Sequence, residues 1–122
     1  MKYFTGLIAS LFVSSAPPYI SSYHYDAEFG GWLKIVLAEQ KSKKECGTIN
    51  ISTNKMNFAF ACNGEAKKGL IPLEKIHFSY SENILSAQNK QSKKNIFSIY
   101  CSNEQFEKIK FYIKKHLTNK HS

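Results

Sequence analysis

The 122-residue chain contains no arginine, so its 17 basic side chains are all lysine. Arginine supplies the planar fork that grips phosphates and guanine edges at two points, whereas lysine is a point charge. A sequence-specific nucleic-acid reader is therefore not expected. Cysteine is scarce: Cys46, Cys62 and Cys101 form no CxxC pair, and no Cys/His spacing fits a zinc site, so no metal and no cofactor is implied. No apolar run approaches the length of a membrane span. Phosphate-cradling glycine loops, Ser/His/Asp arrangements and informatively spaced carboxylates are missing as well. Of His24, His77, His116 and His121, His24 lies two residues from Asp26 in "YHYD", a spacing open to a ligand or a base pair, but the stretch reads first as connector polarity. These absences argue against an enzyme, and a small Cys/His enzyme is the weakest of three readings because no local signature supports it. No internal repeat or low-complexity tract stands out.

What is present is a one-domain length, a net charge of +8 and an aromatic content of 14%, which is too high for a disordered chain. The start, "MKYFTGLIASLFVSSAPPY", has a lone lysine, an apolar centre from Leu7 to Val13 and small residues after it. This is signal-peptide layout over 1–16, with cleavage near Ser15 or Ala16, and implies a secreted or periplasmic protein. Pro17 and Pro18 crowd both cleavage positions, which leaves an uncleaved anchor open. Residues 17–31, rich in prolines, glycines and small polar residues, read as a connector.

From Trp32 onward the chain alternates. "WLKIVLAEQ" (32–40) reads as a strand, with a helix as competitor. In "GTINIS" and "MNFAFAC", Ile49, Ile51, Met56, Phe58, Phe60 and Cys62 alternate with polar or small residues. Taking Asn54-Lys55 as a two-residue turn pairs Ile51 with Phe58 and Ile49 with Phe60. Three cysteines allow three single-bridge pairings. Cys46 and Cys62 lie at the same end of this hairpin and are the candidate disulfide pair, but the register sets them on opposite faces, so a bridge needs a bulge. "NGEAKKG" (63–69) reads as a loop. Pro72 then splits "LIPLEKIHFSYS" into a short edge strand and a strand around Ile76, Phe78 and Tyr80. Further strands are expected at 84–87 and 95–102. Ser102 and Gln105 form a capping box for a helix whose apolar face holds Phe106, Ile109, Tyr112, Ile113 and Leu117, and the tail 118–122 frays.

Seven short strands followed by one amphipathic helix resemble a pleckstrin-homology-like (PH-like) domain over 32–117. "GTINISTNKMNFAF" looks like the second and third strands of GRAM and bacterial PH-like domains. "IPLEKI" is similar to the proline-containing segment before their fifth strand, and "FSIYCSNEQFEKIKFYIKKHL" to their closing strand and helix. The resemblance implies a mainly β fold: a seven-stranded antiparallel barrel or sandwich capped by one C-terminal helix. Departures are the lack of a helix tryptophan, with Trp32 at the other end of the chain, and of the arginine that phosphoinositide motifs usually carry.

The resemblance also implies that three loops share one rim, gathering Lys41, Lys43 and Lys44, then Lys67 and Lys68, then Lys90, Lys93 and Lys94. Such a rim would draw an anionic partner, either an acidic lipid headgroup on a membrane surface or an acidic protein. An exported protein meets cytosolic phosphoinositides only as an effector inside another cell. The alternative is a protein-interaction module acting through an exposed sheet edge or the helix surface, where Phe111 lies off the apolar face.

Overall fold

A computed structural model describes residues 16–28 and 31–117. The expected leader, apart from Ala16, and the tail with His121 lie outside the described residues. Eight strands follow in order: β1 (Tyr19–Asp26), β2 (Trp32–Ala38), β3 (Glu45–Ser52), β4 (Lys55–Cys62), β5 (Glu65–Pro72), β6 (Ile76–Ser81), β7 (Ile84–Asn89) and β8 (Asn95–Tyr100). One helix, α1 (Asn103–Tyr112), continues into a π-helical turn at Ile113–Leu117. The chain is mainly β with a C-terminal helix, but the strand count is eight, not seven, and the sheet does not close.

The sheet order is β5-β4-β3-β2-β1-β8-β7-β6. Neighbours pair antiparallel except β1 and β8, whose parallel contact is the single pair Tyr19–Tyr100. The outermost strands β5 and β6 have no ladder between them, yet only Leu73–Lys75, a 3₁₀ turn, connects them. That link spans at most roughly 15 Å from Pro72 to Ile76. The sheet must therefore curl until its two edges approach each other, and its concave side becomes the core.

Two expected loops are strands. The span 17–31, read as a connector, contains β1, with Ile20 buried and Tyr23 and Tyr25 half-buried against the core. Pro17 and Pro18 precede the strand, where they remove no ladder donor. The span 63–69, read as a loop, is a two-residue turn followed by the first part of β5. Asn63 and Gly64 both have positive φ (54° and 79°), the mirror-image turn that suits a twisted hairpin.

The β3–β4 hairpin also differs in register. Ser52 faces Lys55, so the turn is Thr53-Asn54 rather than Asn54-Lys55, and Ile51 faces Met56 while Ile49 faces Phe58. Asn54 takes the left-handed position (φ 63°), which asparagine tolerates and lysine favours less. The shift is two residues, so every side chain keeps its face. Ile49, Ile51, Met56, Phe58, Phe60 and Cys62 all point into the core. Phe97 from β8 packs edge-on against Phe58 and Phe60, at 5.3 and 5.9 Å between ring centroids, and joins the two arms of the curl.

Cys46 and Cys62 are bridged, with Cα atoms 5.3 Å apart. The bulge this requires lies on the β2 side of β3: Leu37 faces Gly47 and Ala38 faces Glu45, skipping Cys46. Gly47 (φ 151°) is obligatory there, because a Cβ would sit 2.3 Å from the Phe60 Cα. Disulfides persist in oxidising compartments, and the bridge fits an extracytoplasmic setting. Among the described residues no helix is long and apolar enough to cross a membrane.

The helix is tied down at both ends. Ser102 Oγ accepts from the Gln105 backbone N–H while Gln105 Oε1 accepts from the Ser102 N–H, completing the capping box. At the other end the Leu117 carbonyl accepts from the Asn54 N–H at 2.8 Å. Between them Phe106 stacks on Tyr80 at 4.3 Å, Ile109 is buried, and Tyr112 stacks on Tyr25 at 4.8 Å.

Candidate functional site

The lysines singled out above fall on three elements. Lys41, Lys43 and Lys44 lie in the β2–β3 loop and Lys90, Lys93 and Lys94 in the β7–β8 loop, all exposed. Lys67 and Lys68 lie on strand β5 rather than in a loop, so alternation sends them to opposite faces. Lys68 is exposed, whereas Lys67 turns inward and meets Glu65 at 3.6 Å.

The two lysine loops are built alike, although the sequence shows no extended repeat. In the first, Lys43 N–H donates to the Glu39 carbonyl and Glu39 N–H to the Lys44 carbonyl, both at 2.9 Å. In the second, Lys93 N–H donates to the Asn89 carbonyl and Asn89 N–H to the Lys94 carbonyl, again at 2.9 Å. Ser42 Oγ accepts from the Lys44 N–H and Ser92 Oγ from the Lys94 N–H. Each hairpin then skips one residue at the same point, Cys46 or Ile96. The shared signal in the sequence is "SKK", at 42–44 and 92–94.

In both loops the middle lysine adopts the left-handed conformation, with φ 64° at Lys43 and 66° at Lys93. A side chain with a Cβ pays roughly 1–2 kcal/mol for that conformation, and Gly, Asn and Asp take it more readily. Lys43 recovers part of the cost by holding its ammonium 5.2 Å from the Tyr19 ring centroid.

The loops border a common surface along β5. Glu39, in the first loop, accepts from the Asn63 N–H at 2.9 Å, which ties that loop to the turn before β5. The same hydrogen bond, with help from Ser42 and Lys44, holds the Glu39 carboxyl below its usual range. Asn63, Lys67 and Asn95 line one cavity of about 250 Å³ together with Ala16–Pro18. Lys90 lines a different cavity with Leu73 and Glu74, just past the end of β5, and its N–H donates to the Lys75 carbonyl. Asn95 at the start of β8 and Lys90 in the β7–β8 loop thus border separate cavities, one shared with the start of β5 and one with the 3₁₀ turn after it. The six exposed loop lysines and Lys68 are the candidates for a cationic band beside β5. Its first loop lies at the opposite end of β3 from the turn that holds Leu117, roughly 25 Å away for eight residues.

Among the described residues the histidines do not converge on one site. His24 and His77 are exposed on β1 and β6, and His116 stacks against Tyr25. Asp26, the acid beside His24, accepts from the Glu28 N–H and caps a turn. Among the described residues no group of three or more His, Cys, Asp and Glu side chains could hold a metal. Cys101 is fully buried, and burial pushes its thiol up to about 11. Leu70 on the β5 edge and Phe111 on the helix are the most exposed large apolar side chains described, at 65% and 51%.

Compared with protein-family models, curated proteins and solved structures, the chain matches none.

Proposed function

We propose that the protein is an exported, non-enzymatic PH-like binding module that engages an anionic membrane surface through the lysine band along β5. The observation that carries this reading is the pair of matched loops. Each places a lysine at a left-handed backbone position where Asn or Gly would be more stable, and does so with the same hydrogen bonds. Residues retained against local stability are those whose side chain serves something else. Electrostatic attraction to anionic headgroups is about 1 kcal/mol per lysine close to the surface. Three lysines from each loop are enough to bring a monovalent module onto acidic lipid. The disulfide supports the exported setting, and an effector acting inside another cell is where such a module would meet acidic inner-leaflet lipid.

Flotation with phosphatidylcholine vesicles, with and without 30% phosphatidylserine, tests this. Binding is expected only with the anionic lipid, and raising salt from 0.05 to 0.5 M should release it as the screening length shortens. Lys43→Asn/Lys93→Asn should reduce binding without loss of folding. Salt-insensitive binding, or equal binding to neutral vesicles, refutes the proposal.

A second reading rests on the edge itself. Among the described residues β5 has no strand partner on its outer side, and Leu70 is exposed there. An extended acidic peptide could add to β5 by main-chain pairing, with the lysine band beside it. Partner capture that survives 0.5 M salt and fails with a Leu70→Lys variant would favour this reading.

A further inference from the structure

Between the concave side of the sheet and α1 lies a second kind of space. A cavity of about 210 Å³ is walled by Ile35, Ile49 and Met56 from one arm of the sheet, Leu85 and Ile99 from the other, and Ile109 from the helix. Its wall is almost wholly apolar, and among the described residues no buried polar or charged side chain reaches it. Away from its mouth, water would find no side-chain hydrogen-bond partner, which favours an apolar occupant. Well-packed interiors leave few voids larger than a water molecule. This void exceeds the 150 Å³ at which an engineered protein cavity takes up benzene.

The mouth has a different chemistry. Phe106, Lys110 and Lys114 follow each other at i, i+4 and i+8 on the helix and all border the cavity, with Phe78 opposite. Lysine stems of this kind lie along apolar wall while the ammonium stays in water. Lys110 Nζ stands 3.5 Å from Glu107 Oε1 and 5.2 Å from the Phe106 ring centroid. The Glu107 pair is exposed, and exposed pairs at this spacing are weak enough for another carboxylate to displace.

We infer that this cavity is a binding site for a medium-chain fatty acid, with the acyl tail under α1 and the carboxylate at Lys110. An apolar chamber with one cationic lip fits a molecule with one apolar end and one anionic end. By comparison with the benzene-sized cavity, about eight carbons fill the space. The site is separate from the lysine band, whose residues do not line it.

Titration calorimetry of the full chain at low ionic strength, with butyrate, hexanoate, octanoate, decanoate and neutral octanol as probes, tests the inference. One octanoate per chain should bind. Affinity should rise about fourfold per methylene up to roughly eight carbons and then level off. Lys110→Gln should weaken octanoate severalfold and leave octanol unchanged. Leu85→Phe, which fills the chamber, should abolish both. Should that variant fail to fold, the chain-length series and Lys110→Gln decide alone. Affinity that ignores chain length, or octanoate binding unchanged in a folded Leu85→Phe, overturns the inference. Loss of octanoate binding in Lys43→Asn/Lys93→Asn would also overturn it by moving the site to the band. Failure of vesicle binding, by contrast, leaves this site untouched.

Discussion

Removing the Cys46–Cys62 bridge is the perturbation whose size the structure determines most directly. The two cysteines are 16 residues apart, so the bridge closes a loop of that length in the unfolded chain. The loop-entropy relation gives about 3 kcal/mol of stabilisation for such a loop. Cys62 is buried and Cys46 half-buried, so Cys46→Ser/Cys62→Ala removes the bond without burying a new hydroxyl. A loss of 3 kcal/mol is a large part of the roughly 5–15 kcal/mol typical of a domain, yet the sheet and core remain to support a fold. The melting temperature should fall by about 12–18 °C, as expected for a folded unit of around a hundred residues. Urea unfolding and a thermal melt, each followed by circular dichroism, read the two quantities, and mild reduction of the native protein should give the same midpoints as the double variant. A loss under 1 kcal/mol in both, with an unchanged slope, would refute the argument that this bridge restrains the unfolded chain. Loss of all structure on reduction would refute the claim that the core stands without it.

Four further outcomes follow from particular contacts. Gly47→Ala forces a Cβ against the Phe60 backbone and should cost about 3 kcal/mol or prevent recovery of folded protein, read by urea midpoint and yield. Lys43→Asn/Lys93→Asn should leave stability unchanged or raise it by up to about 1 kcal/mol per site, offset at Lys43 by the lost Tyr19 contact; a drop above 1 kcal/mol would contradict the backbone argument. Cys101, buried with its thiol raised to about 11, should resist a thiol reagent at pH 8 in the native state and react fully in urea. Because the folded thiol binds its proton more tightly than the unfolded one, its contribution is present below pH 9 and lost between 9 and 11; for Glu39, held low, the contribution is present above the ordinary carboxylate range and lost on acidification, so midpoints measured across pH should fall at both ends.

The fold was legible where the chain speaks locally. Alternation assigned Ile49, Ile51, Met56, Phe58 and Phe60 to one face, and all are buried. The capping box at Ser102 and the apolar face from Phe106 to Leu117 located the helix, and the cysteine pair followed from its place at one hairpin end. Two local signals were underread. Tyr19, Ile20, Tyr23 and Tyr25 have strong strand propensity, but the flanking prolines and glycines suggested a connector. Asn63-Gly64 is a hairpin signal, but the run of Lys67 and Lys68 after it suggested a loop. The lysines of 41–44 and 90–94 were legible as loop residues, while the matched loop conformations and the apolar cavity depend on folding.

The amino-acid order by itself determined which side chains turn inward, because a two-residue period is a property of the strand alone. It could not choose between registers two residues apart, since both keep the same faces inward. Nor could it show that β1 completes the sheet beside β8. That arrangement arises from the curl of a twisted sheet, which brings together strands far apart in the chain.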